Sequence, residues 1–333
     1  MKKHIFFKFF VSLLILFFAF FSELCFGAEK ISWKAIFGAA ENFENIILWN
    51  LRLPRAFLVL IAGILLGGSG AVFQLFFRNP LAEPGILGIT SGATLGAVFA
   101  TVFIPSGISL FSKTFFNYFS PVNFFAFLGA ILAGILVTSF SFLQKSQNSS
   151  ILILLCGTAL GTLYSSVSSL ILLTKSESLR SVYSWILGSF NGRGWKELLF
   201  ILIPSIISVF LMFFVSKPLD LLTCGEKNAC SLGVNVSRLR IFVLICGAIS
   251  ASCVVCAGGT IGFVGLIAPH ICRKIVGANS SKLIPFSMIF SGILLLFADV
   301  ICRIIIRPGE LPTGIITSLL GVPFFIALCF ENK

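Results

Sequence analysis

Charged residues are scarce in this chain, at 11% of 333 positions against about 25% in a soluble globular domain, and only 12 of them are acidic. That scarcity excludes a water-soluble fold and most hydrolytic chemistry. Paired carboxylates, a histidine cluster or a nucleophile beside its base are what an enzyme would need. None is arranged here. Of the two histidines, His4 is terminal and His270 stands alone in LIAPHICRK, where a structural hydrogen bond is its expected role. No GxxxxGK[ST] occurs and GTIGFVG (259–265) is not a GxGxxG, so the chain carries no phosphate loop and is expected to hydrolyse no ATP itself.

A carrier driven by protons or sodium places an ionisable group deep in a helix. The nearest candidate, Asp299 in LLFADVICR, lies one helical turn from Arg303, and an i, i+4 ion pair is its simpler role. Energy for transport must then come from elsewhere. The ten cysteines form no framework: Cys156, Cys246, Cys253, Cys272 and Cys329 lie in or near apolar runs, where a thiol behaves as a small hydrophobe. The CxxC at Cys253 and Cys256 has no second pair at metal spacing. Neither a disulfide, a metal site nor any cofactor is expected.

What the chain has instead is apolar sequence, 57% of it. Runs long enough to cross a bilayer follow one another from end to end, near 5–26, 53–77, 86–105, 121–143, 150–173, 197–216, 239–257, 260–271, 283–302 and 312–330. The expected fold is an all-α integral membrane protein of about ten transmembrane helices in a single domain over 1–333. The eighth run is too short to meet lipid alone. The first resembles a signal peptide in its basic start, but its apolar stretch is long for one, and cleavage after Gly27 or Ala28 would leave the later topology unchanged.

The 24 Lys and Arg make no basic stripe, which argues against nucleic acid and for membrane flanks and lipid. Lys2, Lys3 and Lys8 at the start of the first run point to a multi-pass protein of the cytoplasmic membrane with its N-terminus on the cytoplasmic side. Glycines recur every four residues at Gly88, Gly92 and Gly96 and every three at Gly259, Gly262 and Gly265, each set expected on one helical face for close packing. The longest inner polar stretch, PLDLLTCGEKNACSLGVNVSRLR, is too polar to span and too patterned for a plain loop. Glycines at 225 and 233 should divide it into two short surface helices over about 220–237, a docking element for a soluble partner. Four arginines, Arg52, Arg55, Arg303 and Arg307, stay at outer helix ends against the topological bias.

The segments RLPR (52–55), SGAVFQLFFRNPLAEPGILGITSGA (69–93), GEKNACSLGVNV (225–236), GTIGFVGLIAPHICRKIVG (259–277) and ELPTGIITSLLGVPFF (310–325) resemble, in collinear order over about 45–330, the FecCD/BtuC-type permeases. These are the membrane subunits of type II ABC importers for iron chelates such as siderophores and haem, and for cobalamin. The resemblance implies ten helices per subunit and a dimer, here a homodimer, around a central pathway. Two cytoplasmic ATP-binding subunits and an extracytoplasmic substrate-binding protein complete the machine.

It further implies ATPase coupling at Gly225, Glu226, Leu232 and Gly233, although Lys227 and Cys230 stand where an acidic and a basic residue are common. Docking of acidic residues of the binding protein maps onto Arg52, Arg55 and Arg303, where a guanidinium fork suits a carboxylate. For the pathway, TLYSSVSS offers Thr162, Ser165, Ser166 and Ser169 as a mildly polar strip, and similarity adds an inner constriction at Asn79, Leu81, Ser149 and Ser150. Iron-chelate import is the expected function, cobalamin import the alternative. A membrane sensor on the same fold would need a signalling domain.

Overall fold

A computed structural model describes residues 2–27, 42–104, 120–143, 149–174, 185–307 and 309–331. Among them every regular element is helical. The long apolar runs leave the chain no other way to satisfy its backbone in lipid. Apart from a six-residue helix at Asn42–Ile47, the helices in chain order are α1 (Lys2–Cys25), α2 (Leu53–Phe77), α3 (Ile89–Phe103), α4 (Pro121–Leu143), α5 (Ser149–Thr174), α6 (Trp195–Thr223), α7 (Glu226–Ser231), α8 (Val236–Gly258), α9 (Val264–Val276), α10 (Ser280–Ile305) and α11 (Thr313–Glu331). A π-turn, Leu48–Arg52, leads into α2, and a 3-10 turn, Pro84–Leu87, precedes α3.

Seven of the described helices are long and apolar enough to cross a bilayer, while Ile89–Phe103 and Thr313–Ala327 are shorter apolar helices. With the 13-residue α9 this makes ten, the number expected. Helix α2 is the hub, packed against α10, α8, α6 and α9. Small residues allow it: a Cβ on Gly63 would sit 2.6 Å from the Gly292 backbone of α10, and one on Gly70 would sit 2.0 Å from the Gly265 carbonyl of α9. Helices α3 and α4 pair in the same way, with a Cβ on Gly96 falling 2.0 Å from the Phe125 carbonyl. The Gly92–Gly96 face is therefore a packing face.

Three boundaries differ from those read in the sequence. Helix α6 does not end near 216 but runs through Pro218 to Thr223. Buried Leu219 and Leu222 hold the extension, and the Asp220 side chain accepts the Ser280 backbone N–H at 2.7 Å. The stretch at 220–237 consequently contains one short helix, α7, rather than two, because Asn235 caps the next long helix by accepting the Arg238 N–H at 3.0 Å.

The third difference is at GTIGFVG, which is no helical face at all: residues 260–263 are non-helical and α9 begins at Val264. Gly259 has φ +75° and passes so close to Trp185 that a Cβ would lie 2.1 Å from its carbonyl oxygen. Phe263 also adopts a positive φ of 66°. The break is held by its neighbours. The Thr260 hydroxyl donates to the Ile186 carbonyl, and Gly314 N–H donates to the Gly188 carbonyl at 3.0 Å.

Candidate transport pathway and outer charge clamp

Where these breaks meet, the fold opens a cavity of about 800 Å³. Its wall is built from the turn before α3 (Glu83, Gly85), Thr90 of α3, Ile186 and Leu187, the 260–262 break, and the face of α11 that carries Ile315, Ser318 and Val322. Most of that surface is apolar. Its hydroxyls are partly spent on backbone: Thr90 donates to the Gly85 carbonyl at 3.3 Å and Thr260 to Ile186. Glu83 is the ionisable residue of this wall, and burial among uncharged neighbours pushes its carboxyl up to about 7. Sequence reasoning quoted its segment without singling it out. The signal was there, since Glu83 is the sole acidic residue between Glu44 and Glu177.

None of the pathway residues expected from the sequence lines this cavity. Thr162, Ser165, Ser166 and Ser169 are exposed together on α5. Ser166 and Ser169 turn their hydroxyls onto the carbonyls one turn back, and Ser165 lies 3.5 Å from Ser91. A strip of that kind is only mildly polar, because each hydroxyl already has a partner. Asn79 closes a tight turn after α2, its side chain accepting the Leu81 N–H at 2.9 Å. Ser149 and Ser150 begin α5, but their side chains lie outside the described residues.

Helix α7 follows α6 after a sharp turn at Gly225. Gly225 (φ +112°) and Gly233 (φ +88°) bracket it in conformations that glycine adopts without strain. Ala229 is buried and fastens the helix, while Glu226, Lys227, Cys230 and Leu232 are exposed, Leu232 at 63%. Leu232 thus stands exposed just beyond a short helix that is held by one small buried residue.

The three arginines are not free. Arg55 grips Asp299 with two parallel bonds, Nε to Oδ2 at 2.9 Å and Nη2 to Oδ1 at 3.1 Å, and reaches Glu310 at 2.8 Å. Arg303 bonds the Glu23 carboxylate, donates to the Glu23 carbonyl at 3.0 Å, and stands 3.4 Å from Asp299. The i, i+4 pair expected of Asp299 is thus present, but its main partner is Arg55. Arg52 donates to the Leu24 and Cys25 carbonyls, both at 2.7 Å. All three are buried, at 6%, 7% and 3% exposure. They clamp α1, α2, α10 and the entry to α11, where the Thr313 hydroxyl also donates to Asp299 at 2.8 Å. An incoming carboxylate would have to displace one already bound.

The motif-bearing segments thus cluster at a cavity, a clamp and a protruding helix of one bundle. The family model for the FecCD transport family matches residues 14–331. The chain belongs to this family. It is 34% identical to the Fe(3+)-citrate import system permease of Bacillus subtilis, over 98% of this chain and 95% of that protein. To the vitamin B12 import system permease of Vibrio cholerae it is also 34% identical, over 90% and 87%. A solved structure described as an inward-facing metal-chelate type ABC transporter matches with a TM-score of 0.85 at 32% identity, covering 99% of this chain and all of that one. The chain is a multi-span permease of an ABC importer of the FecCD type, a family whose ATPase activity resides in separate subunits.

Proposed function

We propose that this permease moves an iron chelate across the cytoplasmic membrane. A second copy of the chain, two cytoplasmic ATP-binding subunits and an extracytoplasmic binding protein complete the importer. The observation that carries the reading is the cavity of about 800 Å³, walled mainly by apolar side chains and placed where three helix breaks meet. That volume is at the upper end of the range for small-molecule sites and suits a bulky cargo held weakly enough to leave. Relatives carry ferric citrate, molybdate and vitamin B12 in their names, so cargo must be assigned by experiment.

The second copy fits against the exposed face of α5, where Leu163, Val167 and Leu170 alternate with the serines. Glu226 and Leu232 of α7, bracketed by Gly225 and Gly233, offer the contact to the ATPases, with the N-terminus on that inner side. Arg52, Arg55 and Arg303 contribute to binding-protein docking if a partner carboxylate exchanges with Glu310 or Glu23. The test is ATP-dependent uptake by proteoliposomes holding the reconstituted importer, with ferric trihydroxamate, ferric citrate and haem labelled with radioactive iron and cobalamin labelled with radioactive cobalt, supplied in turn. Uptake of an iron chelate supports the reading. Uptake of cobalamin alone reassigns the cargo, and uptake of none refutes the proposal.

A further inference from the structure

The Glu83 carboxylate has no side-chain hydrogen-bond or ion-pair partner assigned among the described residues, yet it stands half-buried on the wall of the main cavity. Neighbouring hydroxyls do not serve it. Ser69 donates to the Leu65 carbonyl at 2.5 Å, Thr90 to Gly85, and Thr260 to Ile186. The elements packed around it present Leu66 and Ser69 of α2, Ala251 and Val254 of α8, Ile261, Gly265 of α9 and, across the cavity, Ile315 and Ser318 of α11, none of which ionises. Its oxygens are not sealed from the cavity, so the carboxylate, with no protein donor among the described residues, is free to meet whatever occupies that space.

We propose that Glu83 is the charge-selecting residue of the passage, favouring neutral or cationic chelates that present N–H or O–H donors over anionic ones. The proposal rests on the cavity being the transport pathway. A lone carboxylate with low-dielectric walls focuses its field into the space it faces, so an anionic chelate meets repulsion there and a donor-bearing one finds an acceptor. A second copy of the chain facing the same passage would double the charge. Selection of this kind acts after the binding protein has released its cargo and is independent of that protein's own preference.

The test reads the field directly and needs no knowledge of the cargo. Ser318→Cys places a thiol on the same wall, and the full chain in lipid nanodiscs is treated with a cationic (trimethylammonium-ethyl) or an anionic (sulfonatoethyl) methanethiosulfonate. Modification at position 318 is followed by mass spectrometry so that native thiols do not interfere. Taking the ratio of cationic to anionic rates cancels the titration of the thiol itself. The expected ratio falls about tenfold when Glu83→Gln is added, in line with charge-steered encounter. In Ser318→Cys alone the ratio should rise several-fold from pH 6 to pH 8 as a carboxyl with pKa about 7 ionises, and this arm stands even if Glu83→Gln folds poorly. A ratio unchanged within twofold by both tests, or a thiol that neither reagent reaches, overturns the proposal. Failure of the reconstituted importer to move any chelate would refute the function while leaving the labelling ratio to report on Glu83.

Discussion

Asp299 is the residue whose loss the arginine clamp should tolerate least. Its carboxylate takes two bonds from Arg55 and one from Thr313 and lies 3.4 Å from Arg303, at 0% exposure. With Glu23 and Glu310 it lies among Arg52, Arg55 and Arg303. Asp299→Asn leaves one uncompensated positive charge in a buried site, a change that costs about 3–5 kcal/mol when one partner of a buried pair is removed. Asn retains an acceptor for one donor, which places it near ~3 kcal/mol, with Asp299→Leu toward ~5 kcal/mol.

Membrane proteins commonly inactivate irreversibly, so the measured quantity is the half-life of the monodisperse peak at fixed temperature in detergent. The double variant Arg55→Met with Asp299→Leu removes both charges and should be less damaging than the sum of the single changes by about 1–3 kcal/mol. If Asp299→Asn shifts the half-life by less than twofold, or the two single effects simply add, the clamp does not hold these helices together and the reasoning fails.

The purified chain should retain α1 in its mature form, because cleavage after Gly27 would strip Glu23 from Arg303 and two carbonyls from Arg52; intact mass decides, and a chain starting near residue 28 refutes it. At α7, a Cβ on Gly233 meets nothing within 4 Å, so the cost of substitution is the backbone's positive φ of 88° rather than a clash. Gly233→Asn should therefore preserve ATPase assembly and Gly233→Val should impair it, measured by co-purification; equal behaviour of the two removes the conformational argument. Glu226→Arg should weaken ATPase association without altering membrane insertion, and normal association would take Glu226 out of the contact.

The all-helical architecture was legible because the apolar runs in a bilayer admit only one local solution, and their number alone gave the ten helices. Boundaries failed where tertiary contacts overrode local signals. Pro218 and a polar run argued for an end near 216, but Leu219, Leu222 and the Asp220–Ser280 bond carry α6 onward. Glycines spaced by three at 259, 262 and 265 read as a helical face, yet Gly259 serves a positive φ beside Trp185. Spacing cannot distinguish a glycine kept for packing from one kept for its dihedral angle. The cavity wall was not legible for a related reason. The cavity is assembled from breaks in three distant segments, and no local pattern records that Thr260, Ser318 and Glu83 share a wall.

The arginines carry the same lesson into docking. Sequence reasoning saw Arg52, Arg55 and Arg303 as charge held outside for a partner, whereas each is buried and already bonded within the chain. Buried arginines already bonded within the chain meet a partner only at contact, so steering of an acidic partner has to come from exposed charge nearby. Arg307 is such a charge, exposed at the end of α10 one turn beyond Arg303. An exposed rim charge acts mainly on association rate and its salt dependence, while a desolvated bidentate pair acts on dissociation. Arg307→Glu should therefore slow binding-protein association at low salt by about threefold to tenfold, an effect fading toward 0.5 M salt as the screening length contracts. Arg55→Lys, which keeps the charge but loses the fork, should leave the association rate intact and shorten the life of the complex if partner carboxylates exchange with Glu310. Surface plasmon resonance on the nanodisc-embedded importer separates the two rates. An Arg307→Glu variant with unaltered association at every salt concentration would mean that the outer arginines hold the fold and that docking uses another surface.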